Sequence, residues 1–375
     1  MFVIFFSIVF LVYFLVNYYI YTHGIKLLPQ ESGIRTWFTI AFWLIVSTYV
    51  LGRFIERVHL SAVTDVLTWI GSFWLAVMLY LFLIVLFVDI IRLANYFIHF
   101  IPPSLISQNF KTTLFTIGFG VAIITVAIGH INAVNPAVKK IVLDINKQAN
   151  GLKEVKIALV SDIHMGTVIG PRRMTKLVKE IERINPDLVL LAGDIVDEDL
   201  QPVIRHDMGD VLKKLTAPMG VYAITGNHEY IGGVNEAVDY LEKHNISFLR
   251  DTSVKIADAF YIVGREDRSK TNRKSIASLL NGRDSVLPVI MLDHQPFDLD
   301  SVVTAGVDVQ FSGHTHHGQL WPLNYITEAI FEVSRGYLKK GNTHFYVSNG
   351  YGSWGPPVRI GNRSEIVEVK LRFKE

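Results

Sequence analysis

Residues of the types that bind metal ions follow five apolar runs in the second half of the chain. They occur in the stretches "SDIHMG", "LAGDIVD", "TGNHEY", "MLDHQP" and "FSGHTHHGQ", which begin at residues 161, 191, 225, 291 and 311. The chain has no cysteine, so a thiolate site and a disulfide framework are both excluded. The candidate metal ligands are Asp162, His164, Asp194, Asn227, His294, His314 and His316.

This ligand set predicts a centre with two divalent ions. Carboxylate, imidazole and amide donors without sulfur suit manganese, iron or zinc. The set is too large for one ion with an open position, but it suits two ions that share a carboxylate and a bridging water. Two ions roughly 3.5–4 Å apart can activate that water and hold both oxygens of a phosphoester, so phosphoester hydrolysis is the expected reaction. His228, adjacent to Asn227, could donate a proton to the leaving oxygen.

Each motif alone has an ordinary explanation. An isolated Asp-x-His occurs often by chance, and a Gly-Asp or Gly-Asn pair at a strand end is more often a turn. His294 alone would more often be a core histidine than a ligand. The joint pattern, with every group at the end of an apolar run, favours the metal centre.

The elements that must position these residues can be predicted from the apolar periodicity. Strands are expected within 155–162, 187–194, 220–230, 285–296 and 307–319, with helices over 171–186 and 234–245. Alternating strands and helices predict an α/β layered domain with a sheet covered on both faces. In such folds ligands collect beyond the carboxyl ends of the strands, so the candidate residues are expected to converge.

The first 138 residues have a different composition. Four stretches, at 1–29, 36–52, 66–88 and 112–138, are uncharged except for Lys26. About 20 apolar residues cross a bilayer core, so each stretch predicts one membrane helix. A buried soluble helix would carry a polar face, and the first stretch lacks the basic start and cleavage pattern of a signal peptide.

The chain is therefore expected to contain a four-helix transmembrane region at 1–138, a connector at 139–154 and a catalytic domain at 155–375. Four spans place the amino terminus and the catalytic domain on the same side. Positive residues near the span ends are balanced between the two sides, so they do not decide the orientation. The formal charge of +2 is too small to indicate nucleic-acid binding, and no nucleic-acid partner is expected.

The five stretches resemble the sequence blocks of the calcineurin-like metallophosphoesterases over about residues 155–318. The closing segment "YVSNGYGSWGPPVRIGNRSEIVEVKL" is similar to the tail of a membrane-linked or exported bacterial branch of that family. The resemblance implies a two-sheet α/β sandwich and a catalytic role for His228. It also implies one ion at Asp162, His164, Asp194 and His316, and a second ion at Asp194, Asn227, His294 and His314.

The resemblance further implies an integral membrane protein whose catalytic domain lies on the extracytoplasmic side, because this branch is often exported. His317 departs from the pattern, since the branch usually has glycine there, and we expect a bystander or a substrate contact rather than a ligand. Asp293 is expected to support a ligand rather than to bind metal.

The substrate and the oligomeric state are not encoded by spacing. A basic and aromatic group follows the last motif and is either a solvated face or a surface for anionic headgroups. Its members are Arg335, Tyr337, Lys339, Lys340, Arg359 and Arg363.

The expected substrate is a phosphorylated small molecule or lipid, with lipid-linked and nucleotide-sugar compounds as candidates. An alternative is a sensor or scaffold that binds a phosphorylated ligand without hydrolysis. A transport path is disfavoured because the spans hold almost no ionisable residue at their centres.

Overall fold

A computed structural model describes residues 2–30, 33–102 and 107–375, and the chain divides into two compact units, Met1–Gly129 and His130–Glu375. The first unit is helical. Its helices are α1 (Phe2–Ile25), α2 (Gly33–Glu56), α3 (Ala62–Ile98) and α4 (Gln108–Val134), whose last turn belongs to the second unit. All four are long and apolar enough to cross a membrane. The four predicted helices are therefore confirmed, although Met1 of the first stretch lies outside the described residues.

Helix α3 is longer than the predicted stretch and comprises 37 residues. It begins at a capping box in which the Ser61 hydroxyl accepts a hydrogen bond from the backbone N–H of Thr64 at 3.2 Å. It continues past Asp89, the charged residue before which the predicted stretch ended. Arg92 donates a hydrogen bond to Asp89 at 3.0 Å across one turn, so these two charges pair with each other on the helix.

The second unit contains two six-stranded mixed sheets. The first sheet has the order β1-β12-β2-β3-β4-β5 and the second the order β10-β11-β9-β8-β7-β6. The strands are β1 (Ala137–Ile145), β2 (Glu154–Val160), β3 (Leu188–Ala192), β4 (Val221–Ile224), β5 (Ser247–Phe248), β6 (Thr252–Ile256), β7 (Phe260–Gly264), β8 (Val289–Leu292), β9 (Val309–Ser312), β10 (Gly336–Lys340), β11 (Thr343–Val347) and β12 (Glu365–Phe373). The two-sheet α/β domain is as predicted.

The second unit also contains helices, most of which pack on the outer faces of the two sheets. They are α5 (Pro171–Ile184), α6 (Gln201–Arg205), α7 (Met208–Leu212), α8 (Asn227–Gly232), α9 (Val234–Glu242), α10 (Ile276–Leu280), α11 (Leu299–Thr304) and α12 (Asn324–Ile330). One apolar cluster packs between the sheets, where Leu159, Leu190 and Phe311 are fully buried. Two more clusters fill the space between each sheet and its helices. This packing fixes the strand ends that carry the candidate ligands.

The segment expected to be a connector differs from the prediction. Strand β1 runs from Ala137 to Ile145 and pairs in parallel with β12, with Ala137 opposite Glu365 and Ile145 opposite Phe373. Residues 139–154 were predicted to be a short polar connector. From Ile141 to Ile145, however, more buried and exposed residues alternate as in a half-buried strand. The sequence-based limits of the three regions stay a prediction.

Candidate metal centre

All eight residues predicted for the site follow strands whose carboxyl ends meet at one end of the two sheets. The first sheet contributes Asp162 and His164 after β2, Asp194 after β3, and Asn227 and His228 at the start of α8. The second sheet contributes His294 after β8, and His314 and His316 after β9. The structure brings seven of these side chains, all except Asn227, into overlapping groups, and the ligand atoms within each group lie within 4.8 Å of one another.

The first group consists of Asp162, His164 and His316. The Nε2 atoms of His164 and His316 are 3.0 Å apart, and Nε2 of His316 is 3.5 Å from Oδ1 of Asp162. All three residues are buried. Two imidazole nitrogens and a carboxylate oxygen therefore face one point.

The second group consists of Asp194, His294 and His314. Nε2 of His294 lies 3.0 Å from Oδ2 of Asp194, and Nδ1 of His314 lies 2.7 Å from the Asn227 amide oxygen. Asp194 also forms a group with His164 and His228. Asp194 is thus the carboxylate that both halves of the centre can share.

Most of these residues have unusual backbone conformations. Asp162, His164, Asp194, His314 and His316 all have φ between 44° and 70°. Non-glycine residues rarely adopt this left-handed region, and such residues cluster at functional sites. Here the conformation turns each chain sharply after its strand, so that the side chains project towards the centre.

Two glycines leave room for the carboxylates. A Cβ atom at Gly226 would overlap the carboxylate of Asp194, and one at Gly313 would overlap that of Asp162. Neighbouring backbone groups hold both carboxylates, since His228 N–H donates to Asp194 Oδ1 and His314 N–H donates to Asp162 Oδ1, each at 2.9 Å. The carboxylates are therefore fixed before any ligand binds.

The donor set fits divalent cations. Oδ2 of Asp162 is buried and accepts no hydrogen bond within the described part of the chain. His294 uses Nδ1 to donate to the Ala192 carbonyl at 2.8 Å, which leaves Nε2 for the centre. A buried carboxylate oxygen is costly unless it is paired or binds a metal. Converging oxygen and nitrogen donors therefore match what a pair of such ions requires.

The charges in the centre shift the pKa values in opposite directions. Burial alone would lower the pKa of His164, but hydrogen bonding to Asp197 and the charge of Asp194 outweigh burial and raise it. Burial and the charge of His294 lower the pKa of His314 to about 4. Burial would raise the pKa of Asp194, but the surrounding histidines hold it well below its usual range. The centre therefore keeps its bridging carboxylate ionised.

His228 lies beside this centre with two carboxylates behind it. Its Nδ1 is 3.5 Å from Oδ1 of Asp197 and 3.8 Å from Oε1 of Glu198. Its ring contacts those of His164 at 4.6 Å and Trp354 at 5.9 Å between centroids. Burial lowers the pKa of His228. The imidazole thus lies at the edge of the ligand groups with two carboxylates near its Nδ1 atom.

Comparisons with known proteins agree with this geometry. The family model described as calcineurin-like phosphoesterase matches residues 155–318. An uncharacterized metallophosphoesterase of Aquifex aeolicus is 31% identical over 264 residues, which cover 68% of this chain and 98% of that protein. The chain belongs to the calcineurin-like phosphoesterases.

Other members of this family are also similar. A transmembrane protein with metallophosphoesterase domain from Danio rerio is 29% identical over 261 residues, covering 65% of this chain and 59% of that protein. An uncharacterized metallophosphoesterase of Helicobacter pylori strain J99 is 32% identical over 225 residues, covering 58% of this chain and 60% of that protein. The chain thus spans about three fifths of these two relatives. The solved structure of TT1561 from Thermus thermophilus has a TM-score of 0.37 at 12% identity, covering 52% of this chain and 90% of that one.

Sequence reasoning missed a glutamate that supports this phosphoesterase centre. Glu229 is fully buried, and its carboxylate accepts hydrogen bonds from the backbone N–H groups of Asp194, Ile195, Val196 and Gly226 at 2.6–3.1 Å. Burial and the charge of Asp194 raise the pKa of Glu229 to about 7, although the backbone donors favour its ionised form. It ties the turn after β3 to the turn after β4. The sequence signal for Glu229 was its position directly after His228.

Sequence reasoning also missed Asp197 and the role of Arg359. Asp197 is three residues after Asp194, and only this spacing could have indicated it. Arg359 was grouped with surface cations, but it is fully buried, and its Nη2 atom lies 3.0 Å from Nδ1 of His316. Its Nη1 atom donates to the Asn362 side chain at 3.0 Å. Because Arg359 and His316 are 43 residues apart in the sequence, no local pattern could predict this contact.

The two residues that were predicted not to bind metal lie in separate networks. Nδ1 of His317 is 2.9 Å from the Ser334 hydroxyl, and its Nε2 is 3.6 Å from Glu328. Asp293 pairs with Arg265 at 2.7 Å and with Arg273 at 3.1 Å. Among the described residues, neither belongs to a group that could hold an ion.

Proposed function

We propose that this protein is a membrane-anchored dimetal phosphohydrolase that cleaves phosphoester, phosphodiester or pyrophosphate bonds. The observation that carries this proposal is the meeting of the ligand groups at Asp194, with His228 beside them. Membership of the calcineurin-like phosphoesterases and the four apolar helices support it.

The proposed ligands divide between two sites. Asp162, His164, Asp194 and His316 would hold one ion, and Asp194, Asn227, His294 and His314 would hold the other. When bound, divalent ions such as manganese, iron or zinc supply an activated water and neutralise charge on the phosphoryl group. The protein contributes the fixed positions of the donors, which the strand ends and their hydrogen bonds determine.

His228 is the proposed proton donor to the leaving oxygen. The approach of Asp197 to Nδ1 at 3.5 Å favours a proton on that atom, which leaves Nε2 to face the reacting group. Proton donation by a positioned histidine contributes about 10²–10⁴-fold to such reactions.

The surroundings of the centre favour a phosphorylated amphiphile as the substrate. We define the apolar rim as the exposed side chains of Trp321, Tyr325, Ile326, Ile330 and Trp354, which are 47–61% exposed. Of the rim residues, Trp354 contacts the His228 ring at 5.9 Å. Ile330 directly precedes the buried Phe331, whose ring lies 5.9 Å from that of His314. Exposed apolar patches beside a site mark ligand contacts. An acyl chain or a nucleotide base could occupy this rim.

The test is hydrolysis of bis-p-nitrophenyl phosphate by the full-length protein in detergent, with manganese or with a chelator. We expect release of p-nitrophenol that depends on the metal, and a loss of about 10²–10⁴-fold in His228→Ala. His206→Ala removes a histidine outside the centre and serves as the matched control. Unchanged activity in His228→Ala would refute the assigned role. Tight binding of a phosphorylated ligand without turnover would instead support the sensor or scaffold function.

The side of the membrane on which the catalytic domain lies stays a proposal, and we place it outside the cytoplasm. Because the chain has no cysteine, Lys213→Cys introduces the single thiol at an exposed position on the domain. Labelling of intact cells by an impermeant maleimide is expected. Labelling only after lysis would reverse the orientation.

A further inference from the structure

A polar cleft lies in the second unit beside the loop that carries His316. It has a volume of about 420 Å³ and is lined by Asn132, Ala137, Lys139, Arg335, Asn349, Gly361, Asn362 and Arg363. This volume is in the range of small-ligand sites, about 300–1,000 Å³. We call it the basic cleft.

The basic cleft has an excess of positive charge. Of its cations, Lys139 is paired with the buried Glu365 at 2.7 Å. Arg335 and Arg363 instead bond to backbone carbonyls, those of Gly361 at 3.5 Å and Asn135 at 2.6 Å. Within the described residues neither arginine forms an ion pair. Two exposed guanidinium groups are therefore available to a multivalent anion, which they can bind through paired N–H donors.

The basic cleft borders the loop that carries His316. Asn362, on the cleft wall, donates to the backbone carbonyls of His316 and His317 at 2.9 and 3.2 Å. The cleft thus adjoins the metal-binding loop but contains none of the proposed ligands.

The position of the cleft along the chain indicates the source of the anion. Asn132 lies in the last turn of α4, and Ala137 and Lys139 follow within β1. A membrane-spanning helix ends where the lipid headgroups begin. Basic pockets next to the end of such a helix attract anionic headgroups. The cleft would therefore meet phosphate groups at the depth where its helix leaves the bilayer.

We propose that the basic cleft binds the phosphate group of an anionic membrane lipid, at a site separate from the metal centre. This inference rests on the membrane anchorage of the proposed function. The lipid is retained rather than hydrolysed, because its phosphate is held by Arg335 and Arg363 and not by the metal ligands.

The test uses the full-length protein in phosphatidylcholine vesicles that contain trace spin-labelled phosphatidylglycerol or spin-labelled phosphatidylcholine. Electron paramagnetic resonance measures the association of each probe with the protein. The variants are Arg335→Gln, Arg363→Gln and the double variant. Lys139 is left intact because its loss would leave Glu365 buried and unpaired.

We expect the wild type to prefer phosphatidylglycerol, and the preference to fall about fivefold for each arginine removed. The matched control is Arg372→Gln, an exposed arginine on the same strand as Glu365 but roughly 23 Å along it. It should keep the preference. Thermal unfolding of each variant tests whether its fold is intact.

Three results would overturn the inference: equal association of both lipids with the wild type, an unchanged preference in the folded double variant, or an equal loss in Arg372→Gln. Displacement of the lipid probe by millimolar inorganic phosphate, without displacement by chloride at equal ionic strength, would show that the cleft takes free phosphate and would overturn its assignment to a lipid.

Hydrolysis of bis-p-nitrophenyl phosphate is measured in the same vesicles. Hydrolysis without a lipid preference rejects the cleft alone, whereas a preference without hydrolysis supports the cleft and rejects the proposed enzyme.

Discussion

The two sheets contribute different chemistry to one centre. The first sheet supplies both carboxylates, Asp162 and Asp194, together with the Asn227 amide. The second sheet supplies only imidazoles to the centre. It does have a carboxylate at a strand end, but Asp293 is paired with Arg265 and Arg273. The negative charge that attracts cations therefore comes from one sheet, and the other contributes imidazole nitrogen atoms.

The pKa shifts of the histidines follow the same division between the two sheets in part. His164, on the first sheet, has a raised pKa because three carboxylates outweigh its burial. On the second sheet, burial and neighbouring cations lower the pKa values of His314 and His316. Two histidines depart from this division: contact with Asp194 raises the pKa of His294 despite burial, and burial lowers the pKa of His228 on the first sheet. A carboxylate from the first sheet thus reaches across to one histidine of the second.

The largest effect is expected for Asp194→Asn, which removes the carboxylate that the first sheet contributes to both ligand groups. Loss of the shared carboxylate should lower the hydrolysis rate by at least about 10³-fold, because charge stabilisation at both ions is lost. The measurements are turnover of bis-p-nitrophenyl phosphate and metal content by elemental analysis. Asp239→Asn, at an exposed position on α9, is the control. Full metal content with wild-type turnover in Asp194→Asn would show that the carboxylate is not shared.

A second prediction asks whether the first sheet also orients the proton donor. Asp197→Asn should lower kcat by about 10–100-fold at saturating metal, because this carboxylate lies 3.5 Å from Nδ1 of His228. Metal content is measured as well, since Asp197 also lies 3.6 Å from Nδ1 of the candidate ligand His164. Glu198→Gln is the matched comparison, since its carboxylate is farther from Nδ1, at 3.8 Å. A larger loss in Glu198→Gln would assign the orienting role to that residue.

On the second sheet, Asp293→Asn should affect stability more than chemistry. Replacing this buried partner leaves Arg265 and Arg273 unpaired, so the free energy of unfolding should fall by about 3–5 kcal/mol. Tm of the full-length protein and its turnover are measured together. Asp284→Asn, at an exposed position, should change neither. Loss of bound metal at an unchanged Tm would contradict the structural role.

The smallest expected effect concerns His344 on β11 of the second sheet. Burial and the charge of Lys339 lower its pKa in the folded state, while the unfolded value is about 6.5. The unfolded chain therefore binds the proton first, so this contribution is constant above pH 6.5 and stability falls as pH decreases below it. The slope is at most about 1.4 kcal/mol per pH unit. Tm measured against pH should be flatter in His344→Gln, and an equally steep curve would exclude this histidine.

The convergence of the candidate ligands could be predicted because each of them is marked by its local sequence. An apolar run that ends in Gly-Asp or Gly-His predicts a buried strand followed by a turn, and the structure has a strand before each such group. The four long helices were predicted for the same reason, since length and composition alone determine whether a helix can span a bilayer. The ends of these elements were less certain, as α3 and β1 show, because paired charges and strand partners extend them.

The amino-acid sequence by itself determined the chemical types of the donors, their order along the chain and the membrane-spanning length of the first four helices. Only the tertiary structure decided that Asp194 meets both ligand groups, that Arg359 is buried against His316, and that Arg335 and Lys139 share a cleft. The physical reason is that periodicity reports neighbours within one element. Contacts between residues of different elements depend on how the strands and the two sheets pack, and packing is a property of the whole domain.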